Sequence, residues 1–265
     1  MSVLSDTDAL AREFAQICST AGVAVMDIYN QDFDVSQKSD RSPVTAADVA
    51  AEEIILEALA KLVPGVPVLA EESFEAGLRP SVQDEFILVD PVDGTKEFIS
   101  KNGEFTINIA LVSNGGPVSG AVYAPARSRL YFGGTKAFRT ELNPGGPATR
   151  DASPIRVRPR PASGLAAVMS RSHADEQTLA FATAQGVTDK ISAGSSLKFC
   201  LLAQGDADLY PRFGPTKEWD TGAGHAVLNA AGGRVLTPEG SPFIYGKTET
   251  EYLSGPFVAD TLGGR

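Results

Sequence analysis

The sequence Phe86-Ile87-Leu88-Val89-Asp90-Pro91-Val92-Asp93-Gly94-Thr95 joins four apolar residues to a turn that carries two carboxylates. The apolar run predicts a buried strand, and Pro91 and Gly94 predict that the chain turns where this strand ends. Carboxylate oxygens are the ligands that Mg²⁺ prefers, and free N–H groups of a turn or helix start suit a phosphate. The stretch therefore predicts a metal and phosphate site, with an acidic surface turn as the structural alternative.

The whole chain has 265 residues and a formal charge of −10. This charge argues against general nucleic-acid binding, because no basic run could displace counterions from a phosphate backbone. The two cysteines, Cys18 and Cys200, lie in apolar helical patterns, which indicates core thiols in a reducing compartment. The sequence begins with no secretory signal and contains no apolar run of membrane-spanning length. We therefore expect a cytoplasmic protein, and association with the inner membrane surface stays open.

The first part of the chain predicts two helices followed by strands. Apolar residues recur at helical spacing from Leu10 to Ile28, with Asp6 or Thr7 as the cap, and a second helix is expected from near Thr45 to Pro64. From Pro67 onward, apolar runs separated by Gly- and Asn-containing turns indicate antiparallel hairpins.

The stretch from residue 143 to residue 161 is rich in glycine and proline and predicts a linker. Beyond it, strand and helix patterns alternate. We therefore expect an N-terminal α+β domain over residues 1–142 that carries most metal ligands. A C-terminal α/β domain over residues 162–265 would complete the site.

Further carboxylates could complete the metal site. Glu71 and Glu72 follow an apolar strand, so alternation predicts that one faces the metals and the other faces solvent. Asp220 precedes a helix of small residues and could be a metal ligand or only a helix cap. Asp48 could orient a water through Thr95, although stabilisation of the helix dipole explains it equally.

The residue types favour one kind of chemistry. Carboxylates without a Cys/His cluster suit Mg²⁺ rather than zinc, and two such ions could clamp an in-line phosphoryl displacement. With only His173 and His225 and no Gly-Xaa-Ser-Xaa-Gly sequence, a Ser/His/Asp hydrolase is poorly supported. A glycosidase could use paired carboxylates but would not need the Gly94-Thr95 phosphate turn.

Three segments together resemble the signatures of the inositol monophosphatase superfamily. They are Ala70-Glu71-Glu72-Ser73, Asp90 to Thr95, and Trp219-Asp220-Thr221-Gly222-Ala223-Gly224. Within that superfamily the chain is similar to the bacterial 3'(2'),5'-bisphosphate nucleotidases of the CysQ type. This similarity rests on segments that include Lys96 to Ile99, Asn102 to Thr106, Ser170 to Asp175, Gly194 to Cys200, and Leu209 to Thr216.

The resemblance implies an α/β fold built as a layered αβαβα sandwich of the inositol monophosphatase and sugar phosphatase type, α+β in its N-terminal half. It also implies Mg²⁺ as cofactor, with two or three ions per site, and inhibition by Li⁺. The implied reaction is attack of a metal-activated water on the 3'-phosphate of adenosine 3',5'-bisphosphate (PAP), giving AMP and phosphate. The sulfated form, PAPS, is a further candidate substrate.

Residue roles follow from the same resemblance. The implied metal ligands are Glu71, Asp90, Asp93, Asp220 and the backbone carbonyl of Val92, and the implied water-activating residues are Glu71 and Thr95, supported by Asp48. Gly94 and Thr95 would bind phosphate through their N–H groups, with Asp93 and Asp220 also facing the substrate.

The nucleotide contacts are expected at a predicted helix start and the strand after it. Lys198 and Arg212 could meet the 5'-phosphate or ribose beside Ser195, and His173 could contact adenine. A helix cap, a surface cation and a loop histidine are the corresponding structural explanations.

Two other functions remain as alternatives. One is an inositol monophosphatase or another sugar phosphatase with the same metal core, and the other is a catalytically silent regulator that binds Mg²⁺ or a nucleotide. The presence of Thr95, Asp48 and all four ligand carboxylates argues against the regulator. The sequence leaves open whether the chain forms a homodimer.

Overall fold

The structure is a computed structural model that describes residues 3–31, 35–37, 43–170 and 175–261. The helices in these ranges are α1 Thr7–Tyr29, α2 Ala46–Leu62, α3 Glu71–Glu75, α4 Thr95–Ile99, α5 Glu176–Ala184, α6 Leu197–Ala203 and α7 Gly222–Ala230. The strands of the N-terminal half are β1 Val35–Gln37, β2 Pro43–Thr45, β3 Val68–Ala70, β4 Glu85–Asp93, β5 Thr106–Ser113, β6 Gly116–Ala124, β7 Arg129–Gly133, β8 Ala137–Glu141 and β9 Ser153–Ile155. Those of the C-terminal half are β10 Leu165–Met169, β11 Val187–Ser192, β12 Leu209–Arg212, β13 Thr216–Lys217, β14 Arg234–Leu236, β15 Leu253–Ser254 and β16 Phe257–Asp260.

The apolar run before the acidic turn is the buried centre of a seven-stranded sheet with the order β3-β4-β5-β6-β7-β8-β9. Successive side chains of a strand point to opposite faces. Phe86 and Leu88 therefore enter the core shared with α6 and α7, whereas Ile87 and Val89 enter the core beneath α1 and α2. The predicted buried strand is confirmed, and its alternation separates the core on one face of this sheet from the core on the other.

A second sheet has the order β11-β10-β12-β16-β14. Helices α6 and α7 contact strands of both sheets, and α5 packs on β11 and β12. The layers therefore run α1/α2, first sheet, α6/α7, second sheet, α5, which is the predicted αβαβα sandwich.

The helix starts follow the predicted capping chemistry. Asp6, rather than Thr7, caps α1 by accepting a hydrogen bond from Ala9 N at 2.9 Å. Thr45 caps α2 in a capping box, in which Asp48 Oδ2 accepts from the backbone N and the hydroxyl of Thr45 at 2.8 and 2.7 Å. These contacts fix where α1 and α2 begin.

The segment predicted as a linker packs against the N-terminal half. Ser19 of α1 donates to Gly146 O at 2.9 Å, Ala148 is fully buried, and residues 153–155 form the edge strand β9. Glycine and proline indicate irregular chain, but irregular chain can still be packed. The division into two domains remains a prediction.

Strands β11, β13, β15 and β16 were not predicted, because β13, β15 and β16 are very short and β11 lacks a clear apolar alternation. β11 is a partly exposed edge strand with the sequence Val-Thr-Asp-Lys-Ile-Ser. No helix within the described ranges is long and apolar enough to cross a bilayer.

Candidate active site

A cavity of about 380 Å³ opens where β4 ends, between the two halves of the chain. Its wall combines most of the predicted site residues, namely Glu71, Asp93, Gly94, Thr95, Ser195, Lys198, Arg212 and Asp220. The predicted site residue His173 lies outside the described residues. The structure thus brings together residues that are separated by more than half the chain length.

The acidic turn begins with a break in the pairing of β4. Asp90 pairs with Asn108 and Asp93 pairs with Thr106, so the register shifts between the two aspartates. Val92 N donates to Asp90 Oδ1 at 3.1 Å, which tightens the bulge. The bulge lets two carboxylates of one strand leave the regular ladder where the cavity begins.

The turn ends in the predicted short helix. Gly94 has a φ of +89°, a left-handed conformation that suits glycine, and α4 begins at Thr95. The Thr95 hydroxyl donates to Val92 O at 3.4 Å and lines the cavity. The first N–H groups of the helix have no intrahelical acceptor and are available to an anion.

Asp93 is held by donors from both halves of the molecule. Its Oδ2 atom accepts from Ser195 Oγ at 2.5 Å and from Ser196 N at 2.7 Å, with Asn108 Nδ2 at 3.4 Å. Ser195 adopts a left-handed φ of +54°, and its hydroxyl also lies 2.5 Å from Thr106 Oγ1. The loop that precedes α6 is therefore fastened to the acidic turn.

Asp220 is not the cap of α7, contrary to the cap alternative. The helix begins at Gly222 with Thr221 at the N-cap position, and Asp220 Oδ2 instead accepts from Thr216 Oγ1 at 2.5 Å and Lys217 N at 3.0 Å. Burial, followed by the charge of Asp93, raises the pKa of Asp220. A buried carboxylate whose pKa is raised beside a second carboxylate suits a bound cation.

Glu71 and Glu72 are the first residues of helix α3, not the end of a strand. The alternation argument for which of them faces the cavity was therefore wrong, because neighbours on a helix differ by about 100°. Glu71 nevertheless lines the cavity. The start of α3 is fixed by Glu52 of α2, whose carboxylate accepts from Glu72 N at 2.8 Å and Ser73 N at 2.7 Å.

Lys198 and Arg212 supply positive charge to the cavity wall. Lys198 is 4% exposed, donates to Ser195 O at 2.6 Å and lies 5.4 Å from the ring of Tyr210. Arg212 donates to Pro215 O at 2.8 Å. A buried ammonium and a guanidinium in a cavity that also holds carboxylates point to an anionic ligand.

The donor atoms around the acidic turn bear on whether the site can hold a metal ion. In the described part of the chain, no three His, Cys, Asp or Glu side chains are arranged as a formed metal site. Asn108 is 1% exposed, and its Oδ1 atom accepts no hydrogen bond. An orphaned buried acceptor beside Asp90 and Asp93 fits a water or cation held between these residues.

Several supporting residues were missed by sequence reasoning. Glu104 accepts from Gly194 N at 2.9 Å and from Arg127 Nη2 at 2.8 Å, and so holds the loop that contacts Asp93. Glu97 and Tyr210 line the cavity. Nothing in the local sequence indicated these contacts, because each joins segments that are distant along the chain or depends on the turn at Gly94.

Comparison with known proteins was made at the levels of family, sequence and fold. The model of the inositol monophosphatase family matches residues 6–258. The chain is 45% identical to the 3'(2'),5'-bisphosphate nucleotidase CysQ of Escherichia coli (strain K12), over 90% of this chain and 94% of that protein.

Two solved structures share the fold. The CysQ of Bacteroides thetaiotaomicron superposes with a TM-score of 0.79 at 35% identity, covering 97% of this chain and 98% of that one. An inositol monophosphatase from Anabaena superposes with a TM-score of 0.73 at 24% identity, covering 97% and 92%, and supports the fold alone.

Proposed function

The chain belongs to the inositol monophosphatase family, and we propose that it is a Mg²⁺-dependent phosphatase that removes the 3'-phosphate of adenosine 3',5'-bisphosphate, giving AMP and phosphate. PAPS, which carries the same 3'-phosphate, is a second substrate of the proposed activity. Proteins of this family are generally Mg²⁺-dependent, and lithium sensitivity is typical of them.

One observation carries the proposal. One cavity is lined both by an acidic pair, Asp93 and Asp220, and by two cationic side chains, Lys198 and Arg212. The carboxylates suit divalent cations, which would hold the scissile phosphate, and the cationic side chains suit a second negative group of the substrate. A nucleoside bisphosphate has that second phosphate, whereas a monophosphate such as inositol 1-phosphate lacks it.

The metal ligands of the proposed enzyme are Glu71, Asp90, Asp93, Asp220 and the carbonyl oxygen of Val92. Mg²⁺ ions held there supply Lewis-acid polarisation of the phosphate and a lower pKa for a bound water. The orphaned Asn108 Oδ1 atom and the raised pKa of Asp220 support this assignment.

The protein's own groups orient the substrate around these ligands. The N–H groups of Gly94 and Thr95 bind the scissile phosphate, because they lie at the start of α4 without intrahelical acceptors. The Thr95 hydroxyl, 3.4 Å from Val92 O, orients the attacking water together with Glu71. We assign Asp48, which is buried at the start of α2, to supporting that water through Thr95.

The nucleotide side of the cavity is assigned to Lys198 and Arg212, which bind the 5'-phosphate or ribose beside Ser195. The Lys198 ammonium is held by Ser195 O, so the loop that fixes Asp93 also fixes this cation. A shift of this loop is therefore expected to change metal binding and nucleotide binding together.

The test is phosphate release with Mg²⁺ from adenosine 3',5'-bisphosphate, inositol 1-phosphate and fructose 1,6-bisphosphate. We expect a kcat/KM for the nucleotide about a hundredfold higher, equivalent to roughly 2.7 kcal/mol of transition-state binding. Equal or reversed preference would leave a phosphatase but remove the roles given to Lys198 and Arg212. Absence of turnover for all three compounds would refute the proposed activity.

A further inference from the structure

Glu97 is a carboxylate in the cavity wall that has no role in the function proposed above. It is the third residue of α4, directly after the turn that is assigned to the scissile phosphate. Its side chain is half-buried, and four other acidic residues of the cavity region already serve as proposed metal ligands. A further carboxylate this close to a phosphate site requires an explanation, because it repels an anion.

Two glycines fix the position of the Glu97 side chain. A Cβ atom on Gly94 would lie 3.2 Å from Glu97 Oε2, and a Cβ atom on Gly194 would lie 2.9 Å from Glu97 Cγ. The side chain therefore passes between the phosphate turn and the loop that precedes α6. Its carboxylate lies against the turn at Gly94.

The surroundings of Glu97 leave its oxygens available to a ligand. Burial, followed by the charge of Asp93, raises the pKa of this carboxyl, and the ammonium of Lys198 opposes that shift. Apart from its own backbone N–H, no residue in the described ranges donates a hydrogen bond to the Glu97 carboxylate. A half-buried carboxylate without such donors is costly unless a ligand provides one.

We propose that Glu97 accepts a hydrogen bond from the substrate hydroxyl on the carbon next to the phosphorylated one, which is the 2'-hydroxyl of a ribonucleoside 3'-phosphate. This inference rests on the proposed function. The vicinal hydroxyl is the substrate donor nearest to the scissile phosphate, and the Glu97 carboxylate lines the same cavity beside Gly94 of the phosphate turn. The hydroxyl proton lies between the carboxylate and the phosphate and offsets their repulsion. A deoxyribose lacks this hydroxyl, so Glu97 favours a ribonucleotide over the corresponding deoxyribonucleotide.

The experiment compares kcat/KM for adenosine 3',5'-bisphosphate and 2'-deoxyadenosine 3',5'-bisphosphate in the wild type, E97Q and E97A. The matched control is E53A, which removes an exposed glutamate of α2. The wild type is expected to prefer the ribonucleotide by about 10- to 100-fold, the range for a hydrogen bond to a charged acceptor. In E97A this ratio falls to about 1, mainly through a slower ribonucleotide reaction, and E97Q is intermediate because its amide oxygen still accepts.

The outcomes separate the inference from the function on which it rests. A wild type that does not hydrolyse the ribonucleotide overturns both. A wild type that hydrolyses the two nucleotides equally, or an E97A variant that slows both by the same factor, overturns the role of Glu97 and leaves the phosphatase standing. Thermal unfolding of each variant is measured alongside. If E97A is poorly folded, the ratio of kcat/KM for the ribonucleotide to kcat/KM for the deoxyribonucleotide is taken from E97Q.

Discussion

Replacing Glu52 by alanine removes the acceptor that fixes the start of helix α3, and we expect this to lower both stability and activity. Glu52 is 5% exposed, and its oxygens accept from Glu72 N at 2.8 Å, Ser73 N at 2.7 Å and Ser73 Oγ at 2.5 Å. The residue that precedes α3, Ala70, has no side chain that could replace this cap. In E52A the first N–H groups of the helix therefore lose their partner.

The magnitude follows from the number of bonds. A hydrogen bond to a charged acceptor contributes about 1.5–3 kcal/mol, and a buried donor left unpaired costs about 1–3 kcal/mol. The residues that donate to Glu52 are only half-buried, so water can reach some of the freed groups. We therefore expect the free energy of unfolding to fall by roughly 2–4 kcal/mol.

The functional effect passes through Glu71, the first residue of α3 and a proposed metal ligand. A frayed α3 no longer fixes this carboxylate, so the Mg²⁺ concentration for half-maximal activity should rise in E52A. The variant E52Q keeps one acceptor oxygen and should lie between E52A and the wild type in both measurements.

Urea unfolding at constant pH measures the change in stability. The Mg²⁺ dependence of phosphate release measures the Mg²⁺ concentration for half-maximal activity. The control is E53A, the exposed neighbour on α2, which should stay within about 0.5 kcal/mol of the wild type. The capping argument is refuted if the free energy of unfolding of E52A also stays within about 0.5 kcal/mol of the wild type and its slope against urea concentration is unchanged.

Two further predictions concern the second half of the chain. Burial lowers the pKa of His225 to about 3, whereas an unfolded histidine titrates near ~6.5, so the unfolded chain binds the proton that the folded chain excludes. The contribution of His225 to the free energy of unfolding should therefore decrease by roughly 2 kcal/mol from pH 7 to pH 5. Urea unfolding of the wild type and H225Q at both pH values checks this, and equal pH dependence in the two proteins would contradict it. Asp220 follows Trp219, the only tryptophan of the chain, so Mg²⁺ should change the tryptophan emission. D220N should raise the midpoint of that titration by about 10-fold or more, and an unchanged midpoint would remove Asp220 from the metal ligands.

The acidic turn was predictable from the sequence because its determinants are local. Four apolar residues fix the buried strand, Pro91 and Gly94 fix the turn, and the left-handed φ of Gly94 permits α4 to begin at Thr95. The caps at Asp6 and Thr45 were predictable for the same reason, since each acts within three residues of its own position. Short-range chemistry of this kind depends little on tertiary context.

The errors arose where a local signal has two structural solutions. The sequence after β3 could continue as strand or begin a helix at Glu71, and the cap that decides between them is Glu52, which is 20 residues away from Glu72. Asp220 has the residue type of an N-cap, but its carboxylate accepts from the hydroxyl of Thr216. Thr221 therefore takes the N-cap position, and the helix begins at Gly222, one residue later than a cap at Asp220 would give. Capping preferences cannot resolve such cases, because the competing partner belongs to another element.

The geometry of Asp93 shows why site residues are easier to predict than site structure. Residue type alone made Asp93 a candidate ligand, yet its orientation depends on Ser195 and Ser196, which are 102 and 103 residues further along the chain. Glu104 fixes that loop across 90 residues through Gly194 N. These contacts form only when the two sheets have packed on α6 and α7, so the acidic turn can fold locally while the orientation of its carboxylate waits for the tertiary structure. Variants of this loop should therefore disturb metal and nucleotide binding more than they disturb the β4–α4 turn.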